Sequence, residues 1–184
     1  MSTNIVPVIV EITKGSSNKY EYDAIGKKFI LDRVLYGANF YPGEYGFIEN
    51  TLDYDGDALD VIALSTYPTF PGCQVNVRIL GALEMIDGGD IDTKLFGVIA
   101  DDPRFNHYKS LNDIGTHVKD EIKNFFMQYK ALQNKIVKIK SWKDENWALQ
   151  ELEHCKKLFK KYQAIMIKEG KDAVIKLLKK EIRT

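Results

Sequence analysis

The chain has 184 residues, 26 basic against 26 acidic side chains, 45% hydrophobic content and two cysteines. That length and composition suit one domain that buries its own core without covalent staples, and the balanced charge argues against a general polyanion-coating protein. Cys73 and Cys155 lie far apart and outside metal-type spacing, so neither a disulfide framework nor a zinc module is expected.

In chain order, the first stretch, Met1 to Pro7, carries neither a basic n-region nor an apolar h-region, and no run approaches the ~20 apolar residues that span a bilayer. A cytoplasmic protein without membrane partners is expected. Val8, Val10 and Ile12 then alternate on one face of a first strand and leave Glu11 on the other. In Lys19-Tyr20-Glu21-Tyr22 the charged pair shares one side and the tyrosines share the opposite side. If the tyrosines cover the core, Lys19 and Glu21 point into whatever lies beyond it; a solvent-facing ion pair is the plainer alternative. A further strand is expected at Phe29–Leu35.

The segment Asp53-Tyr54-Asp55-Gly56-Asp57-Ala58-Leu59-Asp60 holds four carboxylates. Like charges about 4 Å apart repel by roughly 1 kcal/mol in bulk water and roughly 4 kcal/mol at a protein surface. Folding them together calls for counter-cations, and an all-oxygen set suits a hard ion such as Mg²⁺ or Mn²⁺. The bland alternative is a solvated turn. A calcium loop counted from Asp53 fails, with Ala58 where the glycine belongs and Leu64 where the glutamate belongs. The apolar run Val61–Leu64 reads as a buried strand and places Asp60 at a core boundary, where an unpaired charge is disfavoured.

Strand-like residues Gln74–Ile86 and Leu95–Ala100 flank Asp87-Gly88-Gly89-Asp90-Ile91-Asp92-Thr93-Lys94, which reads as a hairpin with an acidic tip. Val118, Ile122, Phe125, Tyr129 and Leu132, spaced 4, 3, 4 and 3 apart, form an amphipathic stripe that would lie against a barrel. A strand at Lys135–Lys140 follows. Asp144 is an N-cap candidate for a helix carrying Leu152, Cys155, Phe159, Tyr162 and Met166, which Gly170 ends. Asp172 starts another, with Val174, Leu177, Leu178 and Ile182 on a basic helix that packs on its own domain or on a neighbour. Several short strands first and amphipathic helices after them make the expected fold class α+β, mainly β, in one domain over residues 1–184 with about 170–184 as a helical extension.

The run Phe40-Tyr41-Pro42-Gly43-Glu44-Tyr45-Gly46-Phe47-Ile48, then Thr51-Leu52, then Asp55-Gly56-Asp57-Ala58-Leu59-Asp60-Val61, resembles the core signature of the soluble family I inorganic pyrophosphatases of bacterial type. Val10-Glu11-Ile12, Lys19-Tyr20-Glu21, Asp32-Arg33, Asp87 to Lys94, Asp101 to Phe105, Phe125-Phe126 and Tyr129-Lys130 resemble family segments in the same order, so the likeness covers about residues 5–168. One departure is Ala58-Leu59, where the family pattern usually carries Pro or Glu between its second and third aspartates.

The resemblance implies a small closed OB-like β-barrel flanked by C-terminal helices, and hydrolysis of pyrophosphate to two orthophosphates. It implies that Asp55, Asp60 and Asp92 ligate a first Mg²⁺ and that Asp60 also serves a second. Asp87 with Asp92 would hold ions that arrive with substrate, and Glu11 and Glu21 would bind through water. Mn²⁺ or Zn²⁺ are the implied substitutes. Asp57 is implied as general base; Lys19, Arg33, Tyr45, Lys94, Tyr129 and Lys130 are implied on the substrate side, with Tyr41 lining the site less directly. Seven acids against four bases leave an excess of three negative charges, which repels pyrophosphate until divalent ions reverse the sign. The likeness also implies a homo-oligomer, a hexamer. His107, His117 and His154 match no catalytic position.

Two other classes compete. An OB-like barrel with Tyr36, Phe40, Tyr41, Tyr45 and Phe47 in one stretch could stack single-stranded bases, although that reading expects a basic groove. A metal phosphatase for nucleotides or phosphomonoesters would share the chemistry and differ in pocket size.

Overall fold

The computed structural model describes residues 4–24 and 26–181. Eight strands run β1 (Ile5–Ile12), β2 (Asn18–Asp23), β3 (Lys28–Val34), β4 (Glu44–Phe47), β5 (Asp60–Leu64), β6 (Gln74–Asp87), β7 (Asp90–Ile99) and β8 (Val137–Asp144). Three helices, α1 (Thr116–Gln128), α2 (Glu145–Glu169) and α3 (Lys171–Glu181), complete the chain.

Strands pair in the order β1-β4-β5-β7-β6, and β1 pairs again with β6, which closes a five-stranded barrel; β8 adds to the outer side of β6. Every pairing is antiparallel except β5 with β7. Closure removes the open edges that would otherwise invite aggregation. The fold class is therefore the expected α+β, OB-like barrel with C-terminal helices. Among the described residues, no helix is long and apolar enough to cross a membrane.

Period-2 alternation places side chains on both walls. On β5, Val61 and Ala63 enter one core with Val77, Leu95 and the α2 residues Ala148, Leu152 and Cys155. Ile62 enters the other with Phe96, Val98, Met85 and the α1 residues Ile122, Phe125 and Phe126. A third apolar cluster joins Leu52 to Leu158 and Tyr162 of α2 and to Val174 and Leu178 of α3. Asp144 caps α2 as expected, accepting from the Trp147 amide at 2.9 Å, and Gly170 closes it at φ 84°.

Several expectations are corrected in detail. β4 is absent from the expected strands because it is four residues long and contains a glycine, two features that weaken a strand signal. Gly46 is there because β1 presses on it: a Cβ at that position would lie 2.0 Å from the Ile9 carbonyl oxygen. Leu132 is 67% exposed, since α1 stops at Gln128 and a 3₁₀ turn at Ala131–Gln133 rotates the stripe away from the barrel. β8 starts at Val137 rather than Lys135 and runs on to Asp144. Tyr20 and Tyr22 are half-buried, because β2 and β3 form a separate ribbon beside the barrel rather than a strand of it. The tail packs on its own domain through Val174, Leu177 and Leu178; Ile182 lies outside the described residues.

Candidate active site

Asp60 and Lys94 face each other across the parallel β5–β7 pair. The alternation that buries Ile62 and Phe96 puts Asp60 and Lys94 on the same side, one step further toward the barrel mouth. Asp92 is two residues before Lys94 on that face. Asp92 is 7% and Lys94 3% exposed, so the acidic hairpin tip of the sequence reading is shorter than expected. Gly88 and Gly89 alone make the turn, at φ 61° and 98°, and Asp92 and Lys94 belong to the strand.

Lys94 Nζ donates to Asp60 Oδ2 and to Asp92 Oδ1. Tyr45 adds a hydroxyl to the same Asp60 oxygen at 2.6 Å, and its ring lies 5.6 Å from the Lys94 ammonium. Burial favours the neutral amine, yet the two carboxylates outweigh it and hold Lys94 well above the usual lysine range. A second group gathers on Asp87, whose Oδ2 accepts from Tyr129 Oη at 2.9 Å and from Lys130 Nζ. Burial works against the Asp87 carboxylate, but these donors prevail and hold it below the usual range.

The β2–β3 ribbon supplies the third side. Lys19 and Arg33 are direct cross-strand neighbours. Lys19 pairs with Glu21 and, at 3.4 Å, with Asp32, which also pairs with Arg33. Arg33 Nε is buried with no hydrogen-bond partner, a donor left over for an acceptor. Glu11 accepts the Tyr22 amide at 2.8 Å and so ties the ribbon to β1.

The loop before β5 is closed by Asp53 N to Asp57 O at 2.7 Å and by Gly56 N to Asp53 O at 3.0 Å. Asp55 accepts the Asp57 amide at 3.0 Å, and the exposed Asp57 carboxylate pairs with Lys171. A cleft of about 480 Å³ opens between these parts; Glu11, Lys19, Glu21, Tyr45, Asp57 and Asp60 line it, and Lys171 stands at its edge. Asp55, Asp87, Asp92, Arg33, Lys94, Tyr129 and Lys130 are not part of that lining, and Lys94 connects Asp92 to it through Asp60.

The cluster is short of positive charge. Burial, with Asp60 nearby, pushes Glu11 up to about 7; burial, with Asp57, Asp60 and Asp92 nearby, pushes Asp55 up to about 6 against the pull of Lys94. Asp92 is raised for the same reasons. These carboxylates bind protons in the folded chain that the unfolded chain has released, so between about pH 4.5 and 7 stability falls as pH rises. In chelator the unfolding midpoint temperature should therefore drop from about pH 5 to about pH 8, and millimolar Mg²⁺ should flatten that slope. A midpoint that rises over this range would contradict the charge balance described.

Asp53, given no role from sequence, is buried beneath the loop and accepts the Thr93 amide at 3.3 Å, which links the two acidic segments. Its four-acid run was the available signal. Among the described residues, one trio of His, Cys, Asp or Glu has all ligand atoms within 4.8 Å of one another: Asp53, Glu151 and Cys155. Burial raises the pKa of all three. Asp55, Asp60 and Asp92 do not meet that criterion as a trio, although the Lys94 ammonium bridges Asp60 and Asp92. His154 accepts or donates one hydrogen bond with Tyr54 Oη at 2.9 Å. Of the aromatic stretch, Tyr41 and Tyr45 are core residues, which removes them from any base-stacking surface.

The sequence model of the inorganic pyrophosphatase family matches residues 8–160. The chain belongs to that family. An inorganic pyrophosphatase of Malacoplasma penetrans is 47% identical over 174 residues, which cover 95% of this chain and 94% of that protein. One from Synechocystis is 49% identical over 156 residues, 85% of this chain and 92% of that protein. The crystal structure of the Thermus thermophilus inorganic pyrophosphatase superposes with a TM-score of 0.83 at 46% identity, over 86% of this chain and 93% of that one. The pyrophosphatase match takes in the barrel, the ribbon, α1 and the first part of α2. The end of α2 and all of α3 lie beyond the 8–160 span, although the alignment with the Malacoplasma penetrans protein covers 95% of the chain and so takes in the start of α3.

Proposed function

We propose that this chain hydrolyses inorganic pyrophosphate to two orthophosphates at a site that works with several Mg²⁺ ions. The observation that supports the reading is a chain of acidic neighbours, Glu11 beside Asp60, Asp55 beside Asp57, Asp60 and Asp92, and Asp92 beside Asp87, with Lys19 near Glu11, Lys94 bridging Asp60 and Asp92, and Tyr129 and Lys130 on Asp87. The donor set fits the ion: all candidate ligands are carboxylates, and the raised pKa of Glu11, Asp55 and Asp92 marks a place that a divalent cation would relieve. Asp55, Asp60 and Asp92 would hold the first ion, Asp60 and Asp87 further ones, and Glu11 and Glu21 their waters; Mn²⁺ or Zn²⁺ could replace Mg²⁺. When bound there, such ions lower the pKa of water and neutralise phosphate charge.

The chain's own groups do the rest. Lys19, Arg33, Tyr129 and Lys130 hold phosphate oxygens, the arginine as a fork through its free Nε and the lysines as point charges. To do so Lys130 and Tyr129 turn from Asp87 to the substrate. Asp57, in the cleft, takes the proton of the attacking water, whose oxygen forms the new P–O bond as the anhydride bond breaks. Lys94 and Tyr45 orient Asp60 and keep the crowded carboxylates in place. Tyr41, buried against Tyr45 and Phe125, supports that wall. Exposed apolar residues such as Phe40, Phe70 and Ile136 offer surface for assembly into the hexamer that belongs to this reading, as does a cytoplasmic location.

Phosphate release from pyrophosphate and from ATP, each with Mg²⁺ and with excess chelator, tests the proposal. Pyrophosphate should be cleaved at least about a hundredfold faster than ATP, since the charged contacts that would hold two phosphate groups offer none to a nucleoside, and chelation should abolish both. Equal rates on the two would favour a general nucleotide phosphatase, and turnover that survives chelation would remove the metal from the reaction.

A further inference from the structure

The helix beyond the matched family span reaches into the site. Lys171, the first residue of α3, pairs with Asp57 Oδ1 and is one of the residues on the rim of the cleft. Among the described residues, Lys171 is the one side chain that holds the Asp57 carboxylate, which is otherwise 61% exposed. The loop below is held by the same helix. A Cβ placed on Gly56 would meet Ile175 Cγ1 at 2.9 Å and Lys171 Cγ at 3.0 Å. Val174 and Leu178, with no exposed surface, pack with Leu52 and Tyr54 on the chain leading into the loop. At the other end of α3, Lys179 pairs with Asp90 at 2.8 Å, beside the β6–β7 turn. One helix thus spans both acidic segments.

An exposed ion pair contributes little to folding stability, so the Lys171–Asp57 contact has little to do for the fold as a whole. Its consequence is orientation. A carboxylate on a short exposed loop samples several rotamers, and a proton acceptor works only within hydrogen-bond reach of its water. We propose that Lys171 is a positioning residue for Asp57, and that α3 is a buttress that holds the catalytic loop in its working shape before substrate arrives. The inference rests on the pyrophosphatase reading of the cleft and extends it to α3, which the family model's 8–160 span does not include.

The test compares Lys171→Met, which keeps the aliphatic stem against Gly56, with Lys171→Arg and with Lys179→Met in the full-length chain. With pyrophosphate and saturating Mg²⁺, Lys171→Met should lower kcat about tenfold while KM moves less than about twofold, and Lys171→Arg should recover most of the loss. Lys179→Met should leave kcat unchanged. In metal-free protein, hydrogen exchange at the Gly56 and Asp57 amides should quicken several-fold in Lys171→Met and not in Lys171→Arg. Unchanged kcat with unchanged exchange would reduce α3 to a packing element, and so would a loss that arginine fails to rescue. A wild-type chain inert toward pyrophosphate would sink the functional reading instead, and the exchange measurement would still decide the positioning claim.

Discussion

Asp57→Asn keeps the fold and loses turnover by about two to four decades, the span expected when a general base is removed. The substitution is isosteric, the side chain is mostly exposed, and the pair it breaks, with Lys171, is a surface ion pair worth at most about 1 kcal/mol. The unfolding midpoint should therefore stay within a degree or two of wild type while kcat collapses. KM for pyrophosphate should change little, because phosphate oxygens are held by Lys19, Arg33, Tyr129 and Lys130 and not by Asp57. Initial rates at saturating Mg²⁺ beside a thermal melt decide the matter. Activity within a few-fold of wild type would pass the proton-accepting role to another group, with Asp55, whose pKa is pushed up to about 6, as the next carboxylate in the loop.

Lys94→Met acts on the other side of the balance, on stability before chemistry. The ammonium is 3% exposed and lies between Asp60 and Asp92. Removing one partner of a buried pair costs about 3–5 kcal/mol, because the remaining charge is left uncompensated. Here two carboxylates lose the same cation, and part of the cost is relieved when they take up a proton. The deficit should therefore be largest near about pH 8 and shrink toward about pH 5, and Mg²⁺ should restore part of it by entering the space between the two acids. Urea unfolding in chelator at both pH values, and again with Mg²⁺, reads all three effects. Equal stability of variant and wild type at about pH 8 would mean that Lys94 does not balance the pair.

Much of this arrangement was legible before folding. Alternation announced β1, strand-like runs announced β3, β5 and β6 to within a few residues and the second half of β7, and the Asp144 and Gly170 caps bounded α2, because caps and short apolar runs are local properties. The shorter signals failed where geometry was imposed from outside: β4 is four residues long and exists because β1 and β5 flank it, and Leu132 left its stripe when α1 ended early. The acidic residues were visible as two local clusters, Asp53 to Asp60 and Asp87 to Asp92. Which of them stand on a strand, as Asp92 does, and which on the turn depended on two glycines closing the hairpin more tightly than the eight-residue segment suggested.

What the linear order of residues determined by itself is the chemistry available: carboxylates concentrated in two short segments of a chain whose charges otherwise balance, with strands first and amphipathic helices after. Only the tertiary structure decided who meets whom. The parallel β5–β7 register sets Asp60 against Lys94, and the pairing of Lys171 with Asp57 joins residues 114 positions apart. Such contacts are set by strand closure and helix packing, which depend on the burial of apolar surface throughout the molecule, and no local pattern around either partner encodes them.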